Sequence, residues 1–193
     1  MAKHLAIPTF NTRPTREDCM ASLYDRWFKC SSKKRGEDTG RSSGGITTKR
    51  HLVSDAKGLP LAIRLSSGNR HDMSEAIPTI ESIKVPRVGR GAPKTRPARL
   101  LADKGYDSKA LRTYLTSRGI KHTIPKRTYE NPKPRVGRPL VFDALLYKCR
   151  WTVERVFSHL NSFRRIAVRY DHKKASYLGF LQVAAIMLTL RNF

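Results

Sequence analysis

Acidic residues are scarce in this chain: fifteen Asp and Glu stand against thirty-nine Lys and Arg, a formal charge of +24 at neutral pH over 193 residues. A compact monomer with that excess repels itself unless a polyanion is present, so nucleic acid is the expected partner. The basic residues run along the whole chain, which argues against a neutral fold carrying a basic tail. Cysteine is nearly absent as well. Cys19, Cys30 and Cys149 form no CxxC pair, so neither a disulfide framework nor a zinc site is expected, and a reducing cytoplasm fits. No apolar run reaches the ~20 residues of a spanning helix, and the N-terminus has no apolar signal core, so neither membrane nor secretion is indicated. The six histidines are scattered without metal-ligand spacing. The Gly-rich segments around residues 44 and 89 lack the GxxxxGK-Ser/Thr pattern, so no nucleotide cofactor is expected.

What is present is a sequence able to fold. Thirty-nine per cent of its residues are apolar, enough for a buried core in one domain, or one domain plus an arm. Residues 1 to about 29 show no sustained period of two or 3.6 and predict no element. Ile46 to Val53 and Leu59 to Ser66 predict a β-hairpin joined by Ser54-Asp55-Ala56-Lys57-Gly58, in which Asp and Gly supply the turn chemistry. Its second arm alternates Leu61, Ile63 and Leu65 with Ala62, Arg64 and Ser66, so one face is expected to be buried. Asp72 to Lys84 reads as a helix with Pro78 inside it. A basic loop follows from Pro86 to Pro97. Leu100-Leu101-Ala102 predicts a short strand, Ser108 a cap for a helix to Arg118, Gly119 its stop, and His122 to Ile124 another strand. After a second Pro-rich basic loop, Lys126 to Pro139, a long helix is expected from Asp143 to about Phe163, and a last helix closes the chain. The order predicts an α/β fold with a mixed sheet covered by helices.

Two places in that order could carry chemistry. Asp103 follows a buried run and so emerges at the carboxyl end of a strand, where α/β sheets place ligands. The alternative is an Asp that hydrogen-bonds the turn Lys104-Gly105-Tyr106-Asp107. In the long helix, Tyr147, Arg150 and Glu154 fall at i, i+3 and i+7, one narrow stripe that Asn161 extends. Val153, Val156, Phe157 and Leu160 fill the neighbouring sector, so the stripe borders a buried face. Here the alternative is an Arg150 to Glu154 surface pair worth a few tenths of a kcal/mol.

Ala102-Asp103-Lys104-Gly105-Tyr106-Asp107, the Tyr147, Arg150, Glu154 spacing, Gly40-Arg41-Ser42-Ser43-Gly44-Gly45 with Thr48 and Lys49, and Arg164-Arg165-Ile166-Ala167 before Arg169-Tyr170-Asp171 closely resemble IS-five type transposases, collinearly over about residues 30 to 193. The resemblance implies a DDE transposase domain with a ribonuclease-H-like mixed sheet flanked by helices, acting on double-stranded DNA at transposon ends and target, with a homo-oligomer on DNA left open. It implies two Mg²⁺ or Mn²⁺ ions held by three carboxylates, of which Asp103 corresponds to the second and Glu154 to the third. Tyr147 and Arg150 are expected to position Glu154 and contact a phosphate. Further DNA contacts are expected from Arg41 and Lys49, from Arg87, Arg90, Lys94 and Arg96 in the first basic loop, and from Lys126 and Arg127 in the second. Asn161 stands where the family has a Lys, which replaces a cation facing DNA by an amide.

The family's first carboxylate has no matching segment; Asp18 and Asp25 lie nearby in unlike surroundings. The first strand is therefore expected to be missing or degenerate, with 1–29 a non-homologous segment and 30–193 the catalytic domain. The codons of Asp25 to Cys30 can be written so that the frame one nucleotide later reads Ile-Asp-Gly-Ser-Ser, the expected first-carboxylate segment. Lys33-Lys34 can be a slippery AAA AAG. The N-terminal segment is accordingly expected to be an out-of-frame reading, and this chain alone to be inactive. A cytoplasmic location, on the nucleoid when DNA is bound, is the expectation.

Overall fold

The computed structural model describes residues 21–23, 29–33, 35–42, 45–87, 89–127 and 142–191. Expectations on Asp18, Asp25 and most of the second basic loop lie outside the described residues. In chain order the elements are β1 (Ala21–Leu23), β2 (Lys29–Ser32), β3 (Gly40–Ser42), β4 (Gly45–Ser54), β5 (Pro60–Ser67), α1 (Asp72–Glu81), β6 (Arg99–Ala102), a 3-10 turn (Lys104–Tyr106), α2 (Lys109–Ser117), β7 (Lys121–Thr123), α3 (Ala144–Lys148), α4 (Trp151–Asn161), α5 (Arg164–Ala167), β8 (Val168–Arg169) and α6 (Lys174–Arg191).

Local chemistry explains the elements that the sequence predicts. The β4–β5 turn closes because the Asp55 carboxylate accepts the backbone N–H of Lys57 at 2.9 Å and of Leu59 at 2.8 Å. Gly58 supplies the left-handed residue, with φ +90°. Ser108 caps α2 by accepting from the Leu111 N–H at 3.1 Å, and Gly119, at φ +65°, ends it.

The sheet runs β7-β6-β1-β4-β2-β8, with β3 and β5 also paired to β4. β1 is antiparallel to β4 and parallel to β6, and β6 is parallel to β7, so the sheet is mixed. β1 corrects the expectation that the N-terminal segment forms no element: three residues fill the gap between β4 and β6, in register Leu23 to Val53 and Leu23 to Ala102. The strand is short but not missing. Its signal was invisible in sequence because three residues are too few for a period.

Helices cover both faces. Val53, Ala62, Ile80, Leu100, Ala102 and Leu111 bury one side beneath α1 and α2, while Leu52, Leu65, Val156, Phe157, Leu160 and Tyr177 bury the other beneath α4, α5 and α6. Each buried Val, Leu, Ile or Phe among them stabilises the fold by about 1.5–3 kcal/mol. The buried face expected on β5 is present, with Ile63 and Leu65 on the second core, and the other side is covered as well, since Ala62 and Leu61 join the first. The long helix is also corrected. It is two helices, α3 and α4, separated at Cys149-Arg150, where the N–H groups of Cys149, Arg150, Thr152 and Val153 each bond the carbonyl three residues back. Among the described residues no helix is long and apolar enough to cross a membrane.

Candidate active site

Strand alternation aims Asp103. Leu100 and Ala102 point into the core under α1 and α2, whereas Leu101 packs with Ala56 and Cys149 on the opposite side. Asp103 follows with the parity of Leu101 and so faces α3. There the Tyr147 hydroxyl donates to Asp103 Oδ1 at 3.2 Å. The turn after β6 is held by backbone bonds instead, from the Tyr106 N–H to the Asp103 carbonyl at 2.9 Å and from the Asp107 N–H to the Lys104 carbonyl at 3.2 Å. The Asp103 side chain makes no cap hydrogen bond to it. The turn-forming alternative for this carboxylate is therefore not what the structure contains.

Tyr147 is itself positioned. Asp143 caps α3 by accepting the N–H groups of Leu145 and Leu146 at 3.1 and 3.0 Å, and the Phe142 ring lies tilted against Tyr147 with centroids 5.3 Å apart. The Arg150 guanidinium sits over the Tyr147 ring, 5.3 Å from its centroid, and pairs with Glu154 Oε1 at 2.8 Å. Asp103, Tyr147, Arg150 and Glu154 are thereby linked by successive contacts. The Arg150 to Glu154 pair expected on the surface alternative is present as well. Glu154 keeps 41% of its side chain exposed, so the pair leaves carboxylate oxygen open to solvent. These carboxylates are the hard donors that Mg²⁺ or Mn²⁺ takes. Among the described residues no group of three or more His, Cys, Asp or Glu gathers to hold a metal.

The other candidates are dispersed. Lys49 lies on the α1 face of β4, where its ammonium bonds Asp72 at 2.8 Å and the Arg70 carbonyl at 2.7 Å. It is committed internally. Arg41 is exposed on β3 and pairs with Ile46, six residues along β4 from Leu52, the level of Asp103, and therefore about 20 Å from it along the strand. The loop bearing Arg87, Arg90, Lys94 and Arg96 enters β6 at its amino end, opposite the end that carries Asp103. Arg96 donates to the Arg118 carbonyl at 3.0 Å. Lys126 and Arg127 are exposed beyond the carboxyl end of β7, and the Arg127 backbone N–H bonds Asp107 at 2.7 Å, which ties this segment to the Asp103 turn.

Asn161 is exposed, yet its amide is engaged with the sheet and not left free at the surface. Its side-chain oxygen accepts from Arg50 at 2.9 Å, and Arg50 is 3% exposed. Sequence reasoning missed Arg50, although alternation from Lys49 places it on the opposite face of β4. It also missed Arg169, fully buried and held by the Thr48 hydroxyl at 2.8 Å, the Asp171 carbonyl at 2.9 Å and the His172 carbonyl at 3.0 Å. Its signal was the Arg-Tyr-Asp run already noticed in the motif.

A mixed sheet covered on both faces, with a carboxylate at a strand end and a second one beside it on a helix, is an α/β arrangement compatible with a DDE nuclease. The chain belongs to the transposase DDE domain family, whose pattern matches residues 9–190. It is 34% identical over 170 residues to the candidate transposase for insertion sequence element IS402 of Burkholderia cepacia, covering 86% of this chain and 74% of that protein. The candidate transposase for IS6501 of Brucella ovis is 34% identical over 146 residues, covering 76% of this chain and all of that protein. The transposase for IS1106 of Neisseria meningitidis serogroup B is 26% identical over 137 residues, 71% of this chain and 41% of that protein.

Proposed function

We propose that this domain is an IS-five type transposase on a ribonuclease-H-like core, cutting DNA strands at insertion-sequence ends and joining them to target DNA. Asp103 and Glu154 are its metal-holding carboxylates. The observation that carries the reading is the contact series from Asp103 through Tyr147 and Arg150 to Glu154, because it ties the strand-end carboxylate to the helical one with the two signature residues between them. The strand order β5-β4-β1-β6-β7, antiparallel up to β1 and parallel beyond it, supports the core assignment.

Asp103 and Glu154 would hold divalent ions, Mg²⁺ or Mn²⁺, which when bound would supply Lewis-acid activation of the attacking oxygen and stabilisation of the leaving one at phosphorus. The chain's own part is geometric and electrostatic. Tyr147 fixes the orientation of Asp103, and Arg150 holds Glu154 while presenting a guanidinium beside the path of a DNA phosphate. Lys126 and Arg127 add cations beyond the carboxyl end of β7. The substrate is double-stranded DNA, in keeping with the cationic excess of the chain.

The test uses a labelled duplex carrying an element end, with Mg²⁺ or Mn²⁺. Asp103→Asn and Glu154→Gln are expected to abolish cleavage and leave duplex binding within about twofold, since metal ligation and phosphate contact use different groups. Either variant cutting at the original rate would remove the assignment.

A second reading, a DNA-binding remnant without the first carboxylate, is favoured by the sequence, in which no hydrophobic-Asp-Gly/Ser-Ser/Thr segment precedes Gly40. The presence of β1 in the sheet stands on the side of the first reading. On the remnant reading the chain binds DNA without cutting it, and rewriting residues 25–29 as Ile-Asp-Gly-Ser-Ser restores cleavage. Cleavage by the unaltered chain decides for the first.

A further inference from the structure

The pentapeptide Pro86-Arg87-Val88-Gly89-Arg90 recurs as Pro134-Arg135-Val136-Gly137-Arg138, once in each basic loop. The second copy lies outside the described residues. The first sits in a loop closed at its base by reciprocal backbone bonds between Val85 and Lys94, at 2.9 and 2.8 Å. Gly89 and Gly91 inside it have φ of +95° and +135°, conformations that side chains resist, and nothing lies within 4 Å of where a Cβ on Gly89 would stand. Pro86 and Pro93 stiffen the ends. Among the described residues between them, only Arg87 and Arg90 carry long side chains. Both are exposed, and no acidic residue occurs from Lys84 to Arg99.

We propose that this loop reads the minor groove of A·T-rich duplex DNA, with Arg87 and Arg90 as the inserted side chains; the proposal rests on the reading of duplex DNA as substrate. The minor groove is only about 6 Å wide, so it excludes the helix or ribbon that a major groove admits. A loop with no side chain at Gly89 or Gly91, open around Gly89 and flanked at Gly91 only by the Arg87 side chain, is thin enough to follow it. A·T tracts narrow the groove further and deepen its negative potential, which draws in guanidinium groups. The closed base and the two prolines lower the cost of ordering the loop on DNA. Position gives the loop a separate role from the chemistry. It lies at the amino end of β6, and the four residues of that strand place it about 13 Å or more from the Asp103 end. It therefore grips the duplex several base pairs from the scissile phosphate.

The experiment measures binding of the full chain, by fluorescence anisotropy, to duplexes of equal length with A·T or G·C centres. The expected result is roughly tenfold tighter binding to the A·T duplex, the size of one unfavourable base pair. Netropsin, which occupies the minor groove, should release the chain, and a major-groove dye should not. Arg87→Lys/Arg90→Lys keeps the charge and should retain the salt dependence while losing the A·T preference; Arg87→Ala/Arg90→Ala should lose both in part. Equal affinity for the two duplexes, or indifference to netropsin, overturns the minor-groove role and leaves the reading of DNA as substrate intact. Failure to bind either duplex overturns both.

Discussion

Asn161 and Arg50 illustrate how a residue's role depends on the side chain across from it. A lysine at 161 would set an ammonium against a guanidinium already withdrawn from water, where the amide oxygen now accepts its hydrogen bond at 2.9 Å. Asn161→Lys is therefore expected to lose about 1–3 kcal/mol of stability, measured by urea denaturation. A variant as stable as the parent would mean that the guanidinium's other contacts, among them the Ile166 carbonyl at 3.4 Å, hold it without the amide. His51 makes a similar point about pH. Burial pushes its imidazole below the usual range, reinforced by Lys49 and Arg64 and opposed by Asp72 and Glu75, while its ring nitrogen lies 2.7 Å from the Ser66 hydroxyl. A depressed pKa means the folded state binds fewer protons than the unfolded one. The stability it contributes is present above the unfolded value of 6.5 and is lost as pH falls through that value toward the folded one. The melting temperature should drop between pH 7.5 and 5.5, and His51→Gln should flatten that drop; His122, also pushed down by burial, leaves a remainder. An unchanged slope in the variant would sink the assignment.

The β4–β5 turn shows why some elements were legible. Its closure rests chiefly on Asp55 and Gly58, both within five residues, so the sequence announces it. Gly58 also meets the helix layer: a Cβ there would stand 3.2 Å from Thr152 Cγ2. Gly58→Ala should cost about 1–2 kcal/mol from the left-handed conformation, with the crowding against α4 added to it. Equal stability to the parent in a denaturation curve would show that the turn can change type. The strand, helix, strand unit of β6, α2 and β7 was legible for the same local reason, through Ser108 and Gly119. β2 and β8 were not, because Ser31 pairs with Val168 far along the chain and a two-residue strand has no period. The helical stripe of Tyr147, Arg150 and Glu154 was drawn on an ideal helix, whereas the chain tightens at Cys149-Arg150. The candidate site was legible in part. Alternation and motif spacing picked out Asp103, Tyr147, Arg150 and Glu154, which the structure links by contact, but not that Lys49 turns to Asp72 on the other face of the sheet.

At the scale of the whole molecule, the charge of +24 acts in two opposite directions. Much of the small acidic complement is already engaged: Asp72 with Lys49, Glu75 with Arg70, Asp107 with Arg112, Asp171 with Arg165, Asp38 with Lys174 and Glu154 with Arg150. The remaining cations repel one another across the surface in the free chain. Salt screens that long-range repulsion more than it screens contact pairs such as Lys49 to Asp72, whose side chains are only 13% and 19% exposed. Raising NaCl from 50 to 200 mM should therefore raise the melting temperature of the free chain. The same change should weaken duplex binding, because neutralised phosphates release condensed counterions. Six to ten phosphate contacts would lose about 10³–10⁵ in affinity over that range. Differential scanning fluorimetry and anisotropy on one preparation test both signs together. A melting temperature that falls with salt would mean that ion pairs, not net repulsion, dominate the free fold. Salt-independent affinity would mean that the excess cations do not meet phosphate at all.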